Sequence, residues 1–115
     1  MLTDEAKEQY AIRNALLQAL GFKNYSAYLK SETWKKIRHR GLLASPPCSA
    51  CARHATQVHH TTYTRANLQG TTLEGLVPVC GQCHLACEYS KKGTKLGPNE
   101  ATAKLGSRQR RNERQ

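Results

Sequence analysis

Apolar residues recur at helical spacing through the N-terminal third of the chain. Ile12, Leu16, Leu17 and Leu20 fall three and four residues apart and predict an amphipathic helix over residues 3–20. Thr3 is placed to cap it, Asp4 and Glu5 suit its positive N-terminal end, and Gly21 stands where helices commonly stop. This face reads as packing surface rather than chemistry. After a turn at Gly21-Phe22-Lys23-Asn24, Tyr25 and Tyr28-Leu29 lead to a second helical stretch. Ser31 caps it, Trp34 and Ile37 share a face, and it runs to about Leu42 before Pro46-Pro47 ends it. The helical period is then lost. Residues 57–79 read as short extended pieces around a loop near Gly70, and residues 84–90 suit a short helix.

Beyond Ser90 the apolar pattern disappears. Lys91, Lys92, Lys95, Lys104, Arg108, Arg110, Arg111 and Arg114 face only Glu100 and Glu113, which predicts a disordered basic tail. The boundaries implied are a helical extension over 1–30, a central domain over 31–90 and a tail over 91–115.

Composition sharpens this picture in two ways. The chain has 115 residues, 38% hydrophobic, with one Trp, one Phe and one Met, a size and polarity at which a disulfide or metal staple is often needed. Its formal charge of +10 favours a polyanionic partner, nucleic acid above all. Within that excess, Lys35, Lys36, Arg38, His39 and Arg40 crowd the second helical stretch just before the cysteines, as candidates for phosphate contact. No apolar run approaches the ~20 residues needed to span a bilayer. The start, Met1-Leu2-Thr3-Asp4-Glu5, lacks the basic and apolar segments of a signal peptide, so the expected compartment is the cytoplasm.

In a reducing compartment, five cysteines are unsuited to a disulfide framework, and the odd number agrees. Cys48-x2-Cys51 and Cys80-x2-Cys83 instead have the spacing of two zinc knuckles, each letting two sulfurs reach one ion from a tight turn. A redox dithiol lacks its usual helix-opening context here, and an iron–sulfur cluster has compatible spacing. Cys87 is the odd cysteine and reads as a small buried apolar side chain. Between the two pairs lie 28 residues, more than a minimal finger uses, and they carry His59-His60. On a strand these adjacent imidazoles point to opposite faces and can serve separate tasks. His84 follows the second knuckle directly, so an ion there would fix its position.

These residues resemble the HNH, or ββα-metal, endonucleases, in the zinc-knuckle subgroup of bacterial and phage proteins. The matching segments are Cys48-x2-Cys51, Val58-His59-His60-x2-Tyr63-x-Arg65, Glu74-x-Leu76-Val77-Pro78-Val79-Cys80 and Gly81-Gln82-Cys83-His84. Upstream, Tyr28-Leu29-x-Ser31-x2-Trp34-x2-Ile37-Arg38 also looks like the stretch preceding the knuckles in such proteins. The resemblance implies a small α+β fold, a ββα-metal motif stapled by a four-cysteine zinc site and preceded by one or two helices. It implies DNA hydrolysis, with His60 as general base and His59 and His84 holding one catalytic Mg²⁺ or Mn²⁺. Glu88 stands where many relatives have a second histidine; on a helix it shares a face with His84 and suits an oxygen ligand. Double-stranded DNA is the implied partner, with Lys35, Lys36, Arg38, Arg40 and Arg65 as candidate contacts. Relatives commonly carry Asn or Asp five residues before the third cysteine, ordering the loop that bears the base; this chain has Gly75 there. A non-catalytic zinc module that binds nucleic acid is the alternative the same residues allow, and a protein-interaction adaptor is a third.

Overall fold

The computed structural model describes residues 2–113; Arg114, counted above with the basic tail, lies outside the described residues. Helix α1 (Asp4–Ala19) begins where the Thr3 side chain accepts from the Ala6 N–H. Helix α2 (Tyr25–Leu29) is capped in the same way by Asn24, and α3 (Glu32–Leu42) by Ser31. All three caps satisfy N–H groups that a helix start leaves without partners. Leu17, Tyr28, Trp34 and Ile37 from these helices close on Val58 and Leu68 to form one core cluster. Tyr28 is fully buried and donates its hydroxyl to the Leu68 carbonyl at 2.9 Å, so its polar end is satisfied. Ile12, expected on the apolar face of α1, is instead 49% exposed.

The sheet consists of two antiparallel strands, β1 (Gln57–His60) and β2 (Leu76–Val79), with His59 opposite Val77 and His60 opposite Leu76. Strand alternation divides them. Val58 and Leu76 join the helical cluster, whereas Val77 and Val79 join a second cluster built around the cysteines. His59 and His60 therefore face opposite sides, as their adjacency predicts.

Between the strands lies a short helix, α4 (Arg65–Gln69), in the stretch read as extended. Its start is a reciprocal capping box in which Thr64 pairs with Asn67, and asparagine replaces the Glu or Gln that would have signalled it in the sequence.

Helix α5 (Gly81–Glu88) starts at the second knuckle, earlier than residue 84, because the Cys80 sulfur serves as its N-cap and accepts from the Cys83 N–H. The larger departure is at the C-terminal end. The basic stretch predicted to be disordered contains a 16-residue helix, α6 (Pro98–Glu113). Pro98 suits its first turn, and Pro98, Ala101 and Leu105 make a narrow buried stripe at helical spacing. Ala101 and Leu105 of that stripe join Cys83, Cys87 and Val79 in one cluster, so few apolar residues suffice. The start of α6 is held to α1: Asn99 donates to Glu5 at 2.7 Å and Tyr10 to the Leu96 carbonyl at 2.6 Å. Gly97 allows the approach, since a Cβ there would lie 2.7 Å from the Ala6 Cβ. Among the described residues no helix is long and apolar enough to cross a membrane.

Candidate metal centres

Cys48 and Cys51 sit on the turn before β1, and Cys80 and Cys83 at the junction of β2 and α5. Their sulfurs all lie within 4.8 Å of one another, a group that could hold a metal ion such as zinc. All five cysteines are free thiols. The Cys51–Cys80 sulfur separation is 3.7 Å. A tetrahedral ion with bonds of about 2.3 Å to sulfur requires edges of about 3.8 Å, which this pair already matches. N–H groups of Ala50 and Cys83 point at Cys48 and Cys80, each at 3.4 Å, and the Arg108 guanidinium reaches Cys83 at 3.2 Å. Such donors stabilise thiolates. Burial works against ionisation of Cys48, yet backbone hydrogen bonds from Cys80, Ala50 and Cys51 bring it down to about 7. At Cys83 burial prevails over the contact from Arg108 and pushes the thiol up to about 12. Cys87 is fully buried among apolar neighbours and apart from the cage, as expected.

A second group forms on the same side of the sheet. His59 from β1 and His84 and Glu88 from α5 place their ligand atoms within 4.8 Å of one another. Glu88 Oε1 lies 3.1 Å from His84 Nε2 and 3.5 Å from His59 Nδ1, and the two rings meet edge to face. His84 Nδ1 sits 2.6 Å from the Gln57 side-chain oxygen, which can only accept. Nδ1 therefore carries a ring proton, and Nε2 is the nitrogen turned toward Glu88. Burial alone would raise the Glu88 carboxyl, but hydrogen bonds from His59, His84 and Lys95 hold it well below the usual carboxylate range. Two imidazole nitrogens and a carboxylate turned toward one point are donors that a cation could take up in place of the ring protons.

His60 lies on the other face. Its ring is 4% exposed and sits between Trp34 and Tyr63, with both ring centroids at 5.1 Å. Among the described residues, its Nε2 is buried with no hydrogen-bond partner. Burial, together with His59 and Arg13, pushes the imidazole down to about 4, so it is neutral at pH 7. An unpartnered buried nitrogen costs stability and asks for an explanation in function.

The cleft beside the His59–His84–Glu88 group has a volume of about 560 Å³, and His84, Glu88, Arg13, Tyr63 and Lys95 contribute to its lining. Arg13 comes from α1, the helix read as packing surface only. Its guanidinium lies 4.0 Å above the Tyr25 ring and 4.7 Å from that of Tyr10, and both rings hold it at the cleft. Lys95 arrives on a turn closed by the Tyr89–Lys95 bridge and contacts Glu88. Neither residue carries a local sequence signal, because both reach the cleft from elements outside the motif. Of the basic residues singled out earlier, Arg38 and Arg40 donate to the carbonyls of Thr56 and Gly70, each at 2.6 Å. Lys35 pairs with Glu32, while Lys36 and Arg65 are exposed. The structure thus uses two of the five as backbone braces.

At Gly75 the geometry supplies what its missing side chain could not. Asn67 is fully buried and donates to the carbonyls of Thr62 and Glu74, at 3.0 and 3.4 Å, while its side-chain oxygen accepts from Thr64 N–H at 3.1 Å. It ties together the loop that follows His60. Gly75 has φ +84°, and a Cβ there would lie 3.0 Å from the Asn67 amide nitrogen. Glycine is needed for this arrangement. Compared with known protein families, curated proteins and solved structures, the chain matches none.

Proposed function

We propose that this chain is a metal-dependent endonuclease of the HNH type that hydrolyses phosphodiester bonds in double-stranded DNA. The observation that carries the reading is the convergence of His59, His84 and Glu88 at a cleft flanked by the cations Arg13 and Lys95. In this reading Cys48, Cys51, Cys80 and Cys83 hold a structural zinc that staples β2 and α5 and so places His84. His59, His84 and Glu88 would hold one Mg²⁺ or Mn²⁺, which supplies Lewis acidity toward a phosphate oxygen and charge stabilisation at the leaving 3′ oxygen. Gln57 fixes the His84 tautomer. Arg13 and Lys95 offer positive charge to the non-bridging oxygens, and Arg13 is already immobilised on its tyrosines, so less side-chain freedom is lost on binding.

His60 takes the proton of the attacking water at Nε2. A neutral imidazole with a free lone pair has the right form for this. Its ring is closed off by Tyr63, so proton transfer requires Tyr63 to move when DNA enters. The test is incubation of the full-length chain with supercoiled plasmid and Mn²⁺ or Mg²⁺, beside His60→Ala. The wild type should nick or linearise the plasmid, and His60→Ala should lose the activity while retaining its zinc. Scission that survives His60→Ala rejects the base.

The enclosure of His60 favours one other reading, a zinc-stapled module that binds nucleic acid without cutting it. It predicts salt-sensitive binding, no scission with any divalent ion, and an affinity indifferent to His60→Ala.

A further inference from the structure

Helix α6 reaches both metal centres. Near its start, Thr102 Oγ1 lies 3.1 Å from His59 Nε2. The Thr102 hydroxyl has a single proton and donates it to the Pro98 carbonyl one turn earlier, at 2.7 Å. Its oxygen can therefore only accept from His59. Nε2 therefore carries a ring proton, which leaves Nδ1, the nitrogen facing Glu88 at 3.5 Å, as the one open to an ion. Further along the same helix, Arg108 donates to the Cys83 sulfur at 3.2 Å and Asn112 to the Ala50 carbonyl at 2.7 Å. The helix is thereby fixed to the cysteine cage on one side and to a ligand imidazole on the other. Ala101 and Leu105, buried between these contacts, leave it little freedom to slide.

We propose that Thr102 is a positioning residue that holds His59 as an Nδ1 metal ligand, which makes α6 part of the metal centre rather than an appendage. This rests on the reading of His59, His84 and Glu88 as a cation site, and not on nuclease activity. The chemistry is that of an outer shell: the partner of the second ring nitrogen selects the tautomer and the ring orientation, and its loss typically weakens metal binding roughly 10- to 100-fold. Valine has nearly the same outline and lacks only the hydroxyl, which meets His59 and donates to the Pro98 carbonyl.

The experiment compares the zinc-loaded full-length chain with Thr102→Val and Thr102→Ser. Long-range ¹H–¹⁵N NMR reads the His59 tautomer before any further ion is added, and free Mn²⁺ measured by electron paramagnetic resonance during titration gives the affinity. The wild type should show His59 protonated at Nε2. Thr102→Val should lose that preference and bind Mn²⁺ roughly 10- to 100-fold more weakly with zinc content unchanged, and Thr102→Ser should restore both. A wild-type His59 protonated at Nδ1 overturns the proposal without recourse to any variant. So does a Thr102→Val protein with wild-type tautomer and affinity. A wild type that binds no Mn²⁺ at these residues overturns the cation site and the proposal together, whereas Mn²⁺ binding without plasmid scission leaves the proposal standing and removes the nuclease reading alone.

Discussion

Replacing Asn67 with alanine would remove a buried side chain that spans the loop between the two strands. The substitution removes three hydrogen bonds: the carbonyls of Thr62 and Glu74 lose their donor, and the Thr64 N–H loses its acceptor. At about 1 kcal/mol for each bond to a side chain that is itself fully buried, the cost is about 3 kcal/mol. A chain of 115 residues unfolds with an entropy of about 0.24 kcal/mol/K, so the midpoint should fall by roughly 12 °C. The assay is thermal unfolding followed by circular dichroism, with zinc held at one fixed excess because metal binding itself adds to apparent stability. Asn67→Asp supplies a sharper control. It keeps the acceptor for Thr64 but sets a carboxylate against two carbonyls, which raises its folded pKa above the unfolded value of about 3.9. Its deficit relative to wild type should therefore be larger at pH 7.5 than at pH 5, since protonation relieves it as pH falls. An Asn67→Ala protein melting within about 3 °C of wild type would refute the role assigned to this residue.

Three further outcomes are expected. Stripping the proposed zinc with a strong chelator should unfold the chain, read as loss of helical circular dichroism that returns on adding Zn²⁺, because binding energy at such sites is folding energy. Leu105→Ala, in the buried stripe of α6, should cost roughly 2–5 kcal/mol in denaturant unfolding; a change below about 0.5 kcal/mol would show that this helix is not docked. Arg13→Gln should weaken binding of a short DNA duplex in Ca²⁺ and lower the slope of log affinity against log salt by about 0.9, whereas Arg13→Lys should keep most of the slope. Equal salt dependence in wild type and Arg13→Gln would remove Arg13 from the phosphate-binding surface.

Much of the molecule follows from short-range patterns. Thr3 and Ser31 mark helix starts, and Leu17, Trp34 and Ile37 mark the buried faces, because capping and the helical period are local properties. The two Cys-x2-Cys pairs likewise announce a metal cage, since each knuckle is a single turn. The split between His59 and His60 follows from strand alternation alone.

What the sequence left open depends on contacts between distant segments. Helix α6 exists because Ala101 and Leu105 find the cysteine cluster; by composition alone that stretch is too polar and too charged to fold. Arg13 and Lys95 enter the cleft from either side of the motif in the chain, and no local rule connects them with His84. Asn67 takes over the loop-ordering role sought at Gly75 because the chain folds back between the strands, bringing both residues to one point and leaving room there only for glycine. The amino-acid sequence by itself determined helices α1 and α3, the extended stretches that hold the strands and the residue types of the candidate metal sites. Tertiary packing decided which charges face the cleft and which groups orient the ligands, because those relations are set by distances in space between residues far apart in the chain.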